Sequence, residues 1–262
     1  MLRPFKARQW LGRQALVLLD QIPGNCSLCR RPCYASSLCA LCRDALPWLT
    51  APCPRCALQQ AAGQAIPCGY CATNPPALAR CVAPLHYREP VDRLVAGLKF
   101  HARFANGRDL ALLLADAVRR AYLDDTLPEV VLPMPLHRQR WRQRGYNQAL
   151  EIARVVCREL DLQLNARAVT RRRSTAAQTS MQSVLARQRN VAGAFTMTSP
   201  DALPGCRHIA IVDDVITTMA TANALADCLH QHGVVRVDAW CLARASRYSS
   251  DTATEQLVNN HG

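Results

Sequence analysis

The 262-residue chain is 50% hydrophobic and 19% charged, which supplies a core and excludes a disordered polymer. Thirty-two basic against 19 acidic side chains leave a net charge of +13, pointing toward phosphate-bearing partners. No stretch approaches the ~18 apolar residues of a membrane span, and the ALVLL run at residues 15–19 is too short for a secretory signal, so a cytoplasmic protein is expected.

Residues 1–24 read as an amphipathic lead-in helix, and a cysteine-rich module over residues 25–76 follows. Four C-x2-C pairs succeed one another there: Cys26/Cys29, Cys39/Cys42, Cys53/Cys56 and Cys68/Cys71. Each pair sets two thiolates on a tight knuckle, and two knuckles complete the tetrahedral shell that zinc prefers. Eight ligands imply two structural Zn2+ sites, and sequential pairing of the knuckles is the expected arrangement. Crossed pairing satisfies the same ligand count and stays open. Cys33 and Cys81 are spares, Cys33 being close enough in sequence to substitute for a neighbour. So short a Pro-rich segment needs the metal to hold itself together.

A second domain is expected over residues 77–246. Residues 81–87 predict an entry strand, and residues 91–102 and 109–122 predict helices. Lys99, one of only two lysines, lies in the first helix, where it can meet a phosphate or cap the helix end. Residues 130–133 form a short apolar strand. After it come Arg138, Arg140, Arg142 and Arg144, with His137 beside them, a basic loop suited to phosphate. Asn147 caps an amphipathic helix over residues 147–160. Residues 170–190 carry Arg171, Arg172, Arg173, Arg187 and Arg189 with little to anchor them. A strand at residues 209–212, a helix at 220–232 and a strand at 234–242 complete the domain, and the tail at 247–262 reads as disordered. Alternating strands and helices predict an α/β fold with a mostly parallel sheet, its ligands at the carboxyl ends of the strands.

That rule singles out the end of strand 209–212. Asp213 and Asp214 stand there, suited to accept hydrogen bonds from sugar hydroxyls. Thr217, Thr218, Met219, Ala220 and Thr221 then lead into a helix, offering hydroxyls and main-chain N–H groups to a phosphate. Ribose contacts followed by a phosphate cradle describe a 5-phosphoribosyl site. Loops typical of NTPases, zinc proteases and serine hydrolases are absent.

The stretch IAIVDDVITTMAT resembles the phosphoribosyl pyrophosphate (PRPP) motif of type I phosphoribosyltransferases. With GLKF at 97–100, LPMPLHRQRWRQRGYNQALEIA at 132–153, TRRRSTAAQTSMQSVLARQRNVAGAF at 170–195 and the cysteine pairs, the chain is similar to the ComF family from about Cys26 to Arg244. The resemblance implies a type I phosphoribosyltransferase-like fold preceded by a double zinc ribbon. It implies a loop for pyrophosphate at 133–144 (Pro135, Leu136, His137, Arg138, Arg140 and Arg144, joined by Lys99). It makes residues 170–190 a mobile lid over the ribose, with Arg172 and Arg187 acting on the leaving group beside Asp213 and Asp214. Mg2+ would accompany PRPP, and a nitrogen nucleophile would displace pyrophosphate in a nucleotide-related reaction.

One residue departs from the motif: Met219 stands where a glycine is usual. A left-handed backbone there costs a methionine about 1 kcal/mol or more. Two alternatives follow, a transferase with weakened phosphate binding and a fold retained without turnover. Family members are associated with DNA uptake in natural competence, so the second alternative is an accessory protein whose arginines bind single-stranded DNA. A zinc-ribbon module that docks on other competence proteins is a third reading.

Overall fold

The computed structural model describes residues 24–34, 36–61, 66–101, 103–172 and 193–246. The expected lead-in helix, the tail and residues 173–190 of the expected lid lie outside them. The chain opens with two copies of one cysteine unit. In the first, the hairpin of β1 (Gly24–Asn25) and β2 (Pro32–Cys33) carries one knuckle, and Cys39 starts the short helix α1 (Ala40–Asp44) that carries the other. In the second, Cys68 starts α2 (Gly69–Thr73). Both units wind their first knuckle alike: Arg30 N donates to Cys26 O at 2.9 Å and Ala57 N to Cys53 O at 2.8 Å, with Arg30 at φ 66° and Ala57 at φ 56°. The repeat lies in the backbone, so spacing alone did not reveal it.

Chain order continues with β3 (Arg80–Val82), β4 (Leu85–His86), α3 (Val91–His101), α4 (Phe104–Ala121), β5 (Val130–Pro133), α5 (Arg138–Arg144), α6 (Gln148–Leu160), β6 (Gln163–Leu164), β7 (Val169–Arg171), β8 (Phe195–Met197), β9 (His208–Ile216), α7 (Ala220–Gln231) and β10 (Arg236–Arg244). The main sheet runs β3-β10-β9-β5-β6, with β4 also on β10, and every pairing in it is parallel. Its central strands are apolar on both faces, as a strand sandwiched between helices must be. Val131, Ala210, Val212, Trp240 and Leu242 pack against α3, α4 and α6, whereas Ile209, Ile211, Val237 and Ala239 pack with Leu225 and Leu229 of α7. The expected mostly parallel α/β sheet is what the chain forms.

The cysteine units straddle this sandwich. Cys26 and Cys33 of the first belong to the α3/α4 face, and Cys53, Cys56 and Cys71 of the second to the α7 face. Between them, residues 47–54 seal the sheet edge. His86 N donates to Pro47 O at 2.8 Å, Leu49 N to Pro84 O at 2.9 Å and Cys81 N to Pro54 O at 3.0 Å. An exposed edge would otherwise invite pairing with another chain.

The helix expected at 109–122 begins five residues earlier, at Phe104. Asn106 and Gly107 look like breakers in isolation, but here they face inward. A Cβ on Gly107 would come within 2.8 Å of Leu98 Cδ1, so only glycine lets α3 and α4 approach so closely. Asn106 Oδ1 accepts from Ser27 Oγ at 2.8 Å, and Asp109 Oδ2 accepts from Ser36 Oγ at 3.0 Å and Ser37 Oγ at 2.6 Å. The first cysteine unit is thereby bolted to α4. The single expected entry strand is split into β3 and β4.

At the sheet's other end Asp238, fully buried, accepts from Tyr122 Oη at 2.6 Å and lies 2.7 Å from His208 Nε2. Burial alone would raise this carboxyl, but the His208 and Tyr122 hydrogen bonds and the Arg236 charge hold it below its ordinary value. That end is closed by a satisfied polar network, leaving the carboxyl ends of the strands as the open side.

Candidate functional site

β9, between β10 and β5, brings Asp213 and Asp214 to the carboxyl edge of the sheet. Successive side chains of a strand face opposite ways, so the two carboxylates diverge. Asp214, only 8% exposed, follows Ala210 and Val212 toward α3. There Lys99 Nζ lies 3.1 Å from its Oδ2. Lys99 thus has an acid for a partner, an arrangement that neither of its expected roles included. Asp213 follows Ile209 and Ile211 to the other face, where the charge of Arg171 on β7 acts on it.

Burial and the adjacent Asp214 charge push the Asp213 carboxyl up, to about 7, against the opposing pull of Lys99 and Arg171. A carboxyl raised in the folded state costs stability progressively as pH rises from about 4 to its folded value, and the loss is complete above it. Asp213→Asn should therefore melt ~5 °C above the wild type at pH 8, with the gap closing toward pH 4. Thermal melts at pH 4, 6 and 8 check this, and a gap independent of pH contradicts it.

Beyond β9 the turn at 217–219 enters α7. Met219 takes φ 63°, ψ −5°, the left-handed conformation a glycine would adopt freely, and buries its side chain beside Ile216 and Ala222. The fold thus accepts the strain and repays part of it in packing. Ala220 N donates to Thr218 Oγ1 at 3.4 Å, while Thr217 is exposed. Ala220 and Thr221 are half-buried in the first turn of α7.

On the other side of β9, Met134 N donates to Val212 O at 2.8 Å, so the segment after β5 begins beside the acids. Pro135, Leu136 and His137 are half-buried. Residues 138–144, expected as a loop, wind into α5, capped by His137 Nδ1, which accepts from Gln139 N at 3.3 Å, and stopped by Gly145 at φ 76°. Asn147 caps α6, accepting from Ala149 N at 3.0 Å, and its Nδ2 donates to Met134 O at 3.1 Å. Arg144 Nη1 donates to Gln148 Oε1 at 3.1 Å, which anchors the end of α5. Arg140 is half-buried and Arg138 exposed.

A cleft of about 580 Å³ opens between α5 and β7, with Arg138, Trp141, Leu150, Arg171 and Arg172 on its walls. Burial and the neighbouring Arg140 charge lower the Arg171 guanidinium, and Asp213 opposes them. Arg171 thus connects this cleft to the acid pair. Sequence reasoning passed over Trp141, 56% exposed, and Arg171 as a site residue. An unburied tryptophan inside an arginine run was the available signal. Arg172 stands at the cleft; Arg187 lies outside the described residues.

The thiols gather as Cys26, Cys29, Cys39 and Cys42, and as Cys53, Cys56, Cys68 and Cys71, with the four sulfurs of each group within 4.8 Å of one another. This is the sequential pairing. Sulfur separations of 3.6 Å (Cys29–Cys39) and 3.7 Å (Cys56–Cys68) match the ~3.8 Å edge of a tetrahedron with ~2.3 Å zinc–sulfur bonds. The donor sets fit zinc. Cys33 is outside the first group, its Sγ donating to Ser36 O at 3.1 Å. Among the described residues no helix is long and apolar enough to cross a membrane.

No protein-family model matches the chain. It is 36% identical over 227 residues to the DNA utilization protein YhgH of Escherichia coli K12, covering 85% of this chain and 98% of that one. It is 35% identical over the same length to the protein of that name in Salmonella typhimurium, with the same coverage. Identity to Competence protein F of Haemophilus influenzae is 38% over 181 residues, or 68% of this chain and 78% of the relative.

Proposed function

The chain belongs to the ComF family, and on that premise we propose that it is a phosphoribosyltransferase-like protein that binds PRPP, or a related ribose phosphate, in the service of DNA uptake and use. One observation carries the reading: Asp213 and Asp214, with Lys99 beside the second, lie near the end of a buried central strand that runs through left-handed Met219 into a helix N-terminus. In this reading the two carboxylates accept hydrogen bonds from ribose hydroxyls, and the turn from Thr217 through Thr218, Met219 and Ala220 to Thr221 holds the 5-phosphate. Pro135, Leu136 and His137, with Arg138, Arg140 and Arg144, face the diphosphate, whose departing charge the arginines neutralise. Lys99 balances Asp214, and Arg172 joins Arg187 over the leaving group. A nitrogen nucleophile then attacks the anomeric carbon as the bond to pyrophosphate breaks through an oxocarbenium-like state. The hard carboxylate oxygens suit Mg2+, although Lys99 already engages one of them. A magnesium ion arriving on the diphosphate would neutralise charge on its oxygens.

Calorimetric titration with PRPP and Mg2+ tests the reading. Saturable 1:1 heat at micromolar to millimolar ligand supports it, and silence for both wild type and Met219→Gly removes it.

A second reading, single-stranded DNA binding, draws on the cleft. Trp141 offers a face on which a base can stack, and Arg138, Arg171 and Arg172 lie within reach of phosphates. It fits the names of the relatives, and it is compatible with the first.

A further inference from the structure

β10 ends on Arg244, a guanidinium only 2% exposed. Its Nε donates to Cys56 O at 2.6 Å, and its Nη1 donates to Ile216 O at 2.9 Å, to Thr217 O and to Ala245 O at 2.8 Å. All four acceptors are main-chain carbonyls from three places: the second cysteine unit, the junction of β9 with the turn, and the strand's own continuation. One rigid, planar fork therefore fixes the spacing between the second unit and the turn.

We infer that Arg244 is a positioning residue through which the second four-cysteine unit sets the shape of the turn at 217–221. The inference rests on the proposed role of that turn in holding a phosphate. The Cys56 carbonyl points where the knuckle directs it, between left-handed Ala57 and the bond from Ala57 N to Cys53 O. A closed knuckle keeps that carbonyl on Arg244. An open one removes an anchor and leaves the guanidinium free to pull on Ile216 and Thr217. Charge supports the same arrangement, because a buried cation whose partners among the described residues are all carbonyls would gain from the net charge of about −2 that zinc on the four thiolates of the second unit would carry. Among the described residues the first unit shows no such link; its side-chain ties run to Asn106 and Asp109 on α4. Two similar units thus carry different duties.

Coupling of this kind is reciprocal: whatever the metal does for the ligand, the ligand does for the metal. The test uses the full chain, with ribose 5-phosphate as probe and hydrogen exchange at 215–222 as the readout without ligand. Cys68→Ser, which opens the second unit, should speed exchange at the turn about tenfold and weaken the probe to a similar degree. Cys42→Ser, in the first unit, should leave the turn within about twofold of wild type. If Cys68→Ser does not fold, Arg244→Lys carries the test. It should speed turn exchange and abolish the slowing of zinc release that ribose 5-phosphate produces in wild type. Unchanged turn exchange in Arg244→Lys, or equal effects from the two cysteine variants, overturns the inference. If the exchange pattern holds while wild type binds no ribose 5-phosphate, the coupling stands and the ligand reading falls.

Discussion

Cys53→Ser is expected to lower the melting temperature by ~10–15 °C and to reduce bound zinc from two ions to one. Cys53 is fully buried, and its Sγ accepts from Cys68 N at 3.2 Å, so it sits at the centre of the second unit. Its neighbours in the core include Leu78, Cys81 and the α7 residues Leu225 and Leu229. Opening that unit therefore uncovers part of the main hydrophobic face. Structural zinc contributes 10 kcal/mol or more to peptides that cannot fold without it, but this chain has its own sheet, and a loss of ~3–5 kcal/mol is appropriate. At ~2–4 °C per kcal/mol for a domain of this size, the expected drop follows. Calorimetry with metal analysis checks it, and the exposed Cys29→Ser should cost less. Equal melting temperatures for wild type and Cys53→Ser would show that the unit is ornamental to the fold.

The second large effect concerns ligands. Asp213→Asn combined with Asp214→Asn should weaken PRPP binding at least ~100-fold while leaving binding of an oligothymidylate within ~2-fold. Each hydrogen bond to a charged carboxylate contributes ~1.5–3 kcal/mol, and ~1.4 kcal/mol is tenfold in affinity. The isosteric amides keep the volume of both side chains, so packing is conserved. Lys99, deprived of its partner at 3.1 Å, gains attraction for phosphate, which makes the hundredfold figure a lower bound on the loss of the hydroxyl contacts themselves. Oligonucleotide binding is expected at Trp141 and the arginines, where it should weaken steeply with salt. Titrations of both ligands, the second followed by Trp fluorescence, give the comparison. Equal losses for both would merge the two sites into one.

Much of this was legible in the residues, and the exceptions share a cause. The cysteine spacing, the β9 run with its acids, and the Asn147 cap are local signals, because each needs only its sequence neighbours. The start of α4 was not legible: Asn106 turns inward to accept from Ser27, 79 positions away, and Gly107 turns inward to let Leu98 of α3 approach. α5 has no apolar stripe, since its arginines face solvent and the cleft. β7 and β8 are three residues each and, among the described residues, pair only with one another. Arg244 reads as the polar end of a strand, and only its four carbonyl partners mark it as interior.

The position of β10 constrains how the protein is born. Every other described strand precedes it in the chain, yet it lies between β3 and β9 and completes both ladders. During synthesis the cysteine units emerge early, while the strand that must separate β3 from β9 is still being made, more than 150 residues behind β3. Contacts so far apart along the chain are slow to form. The nascent protein must keep a slot open in the middle of its sheet until β10 has been made, and any early zipping of β3 onto β9 would have to be undone.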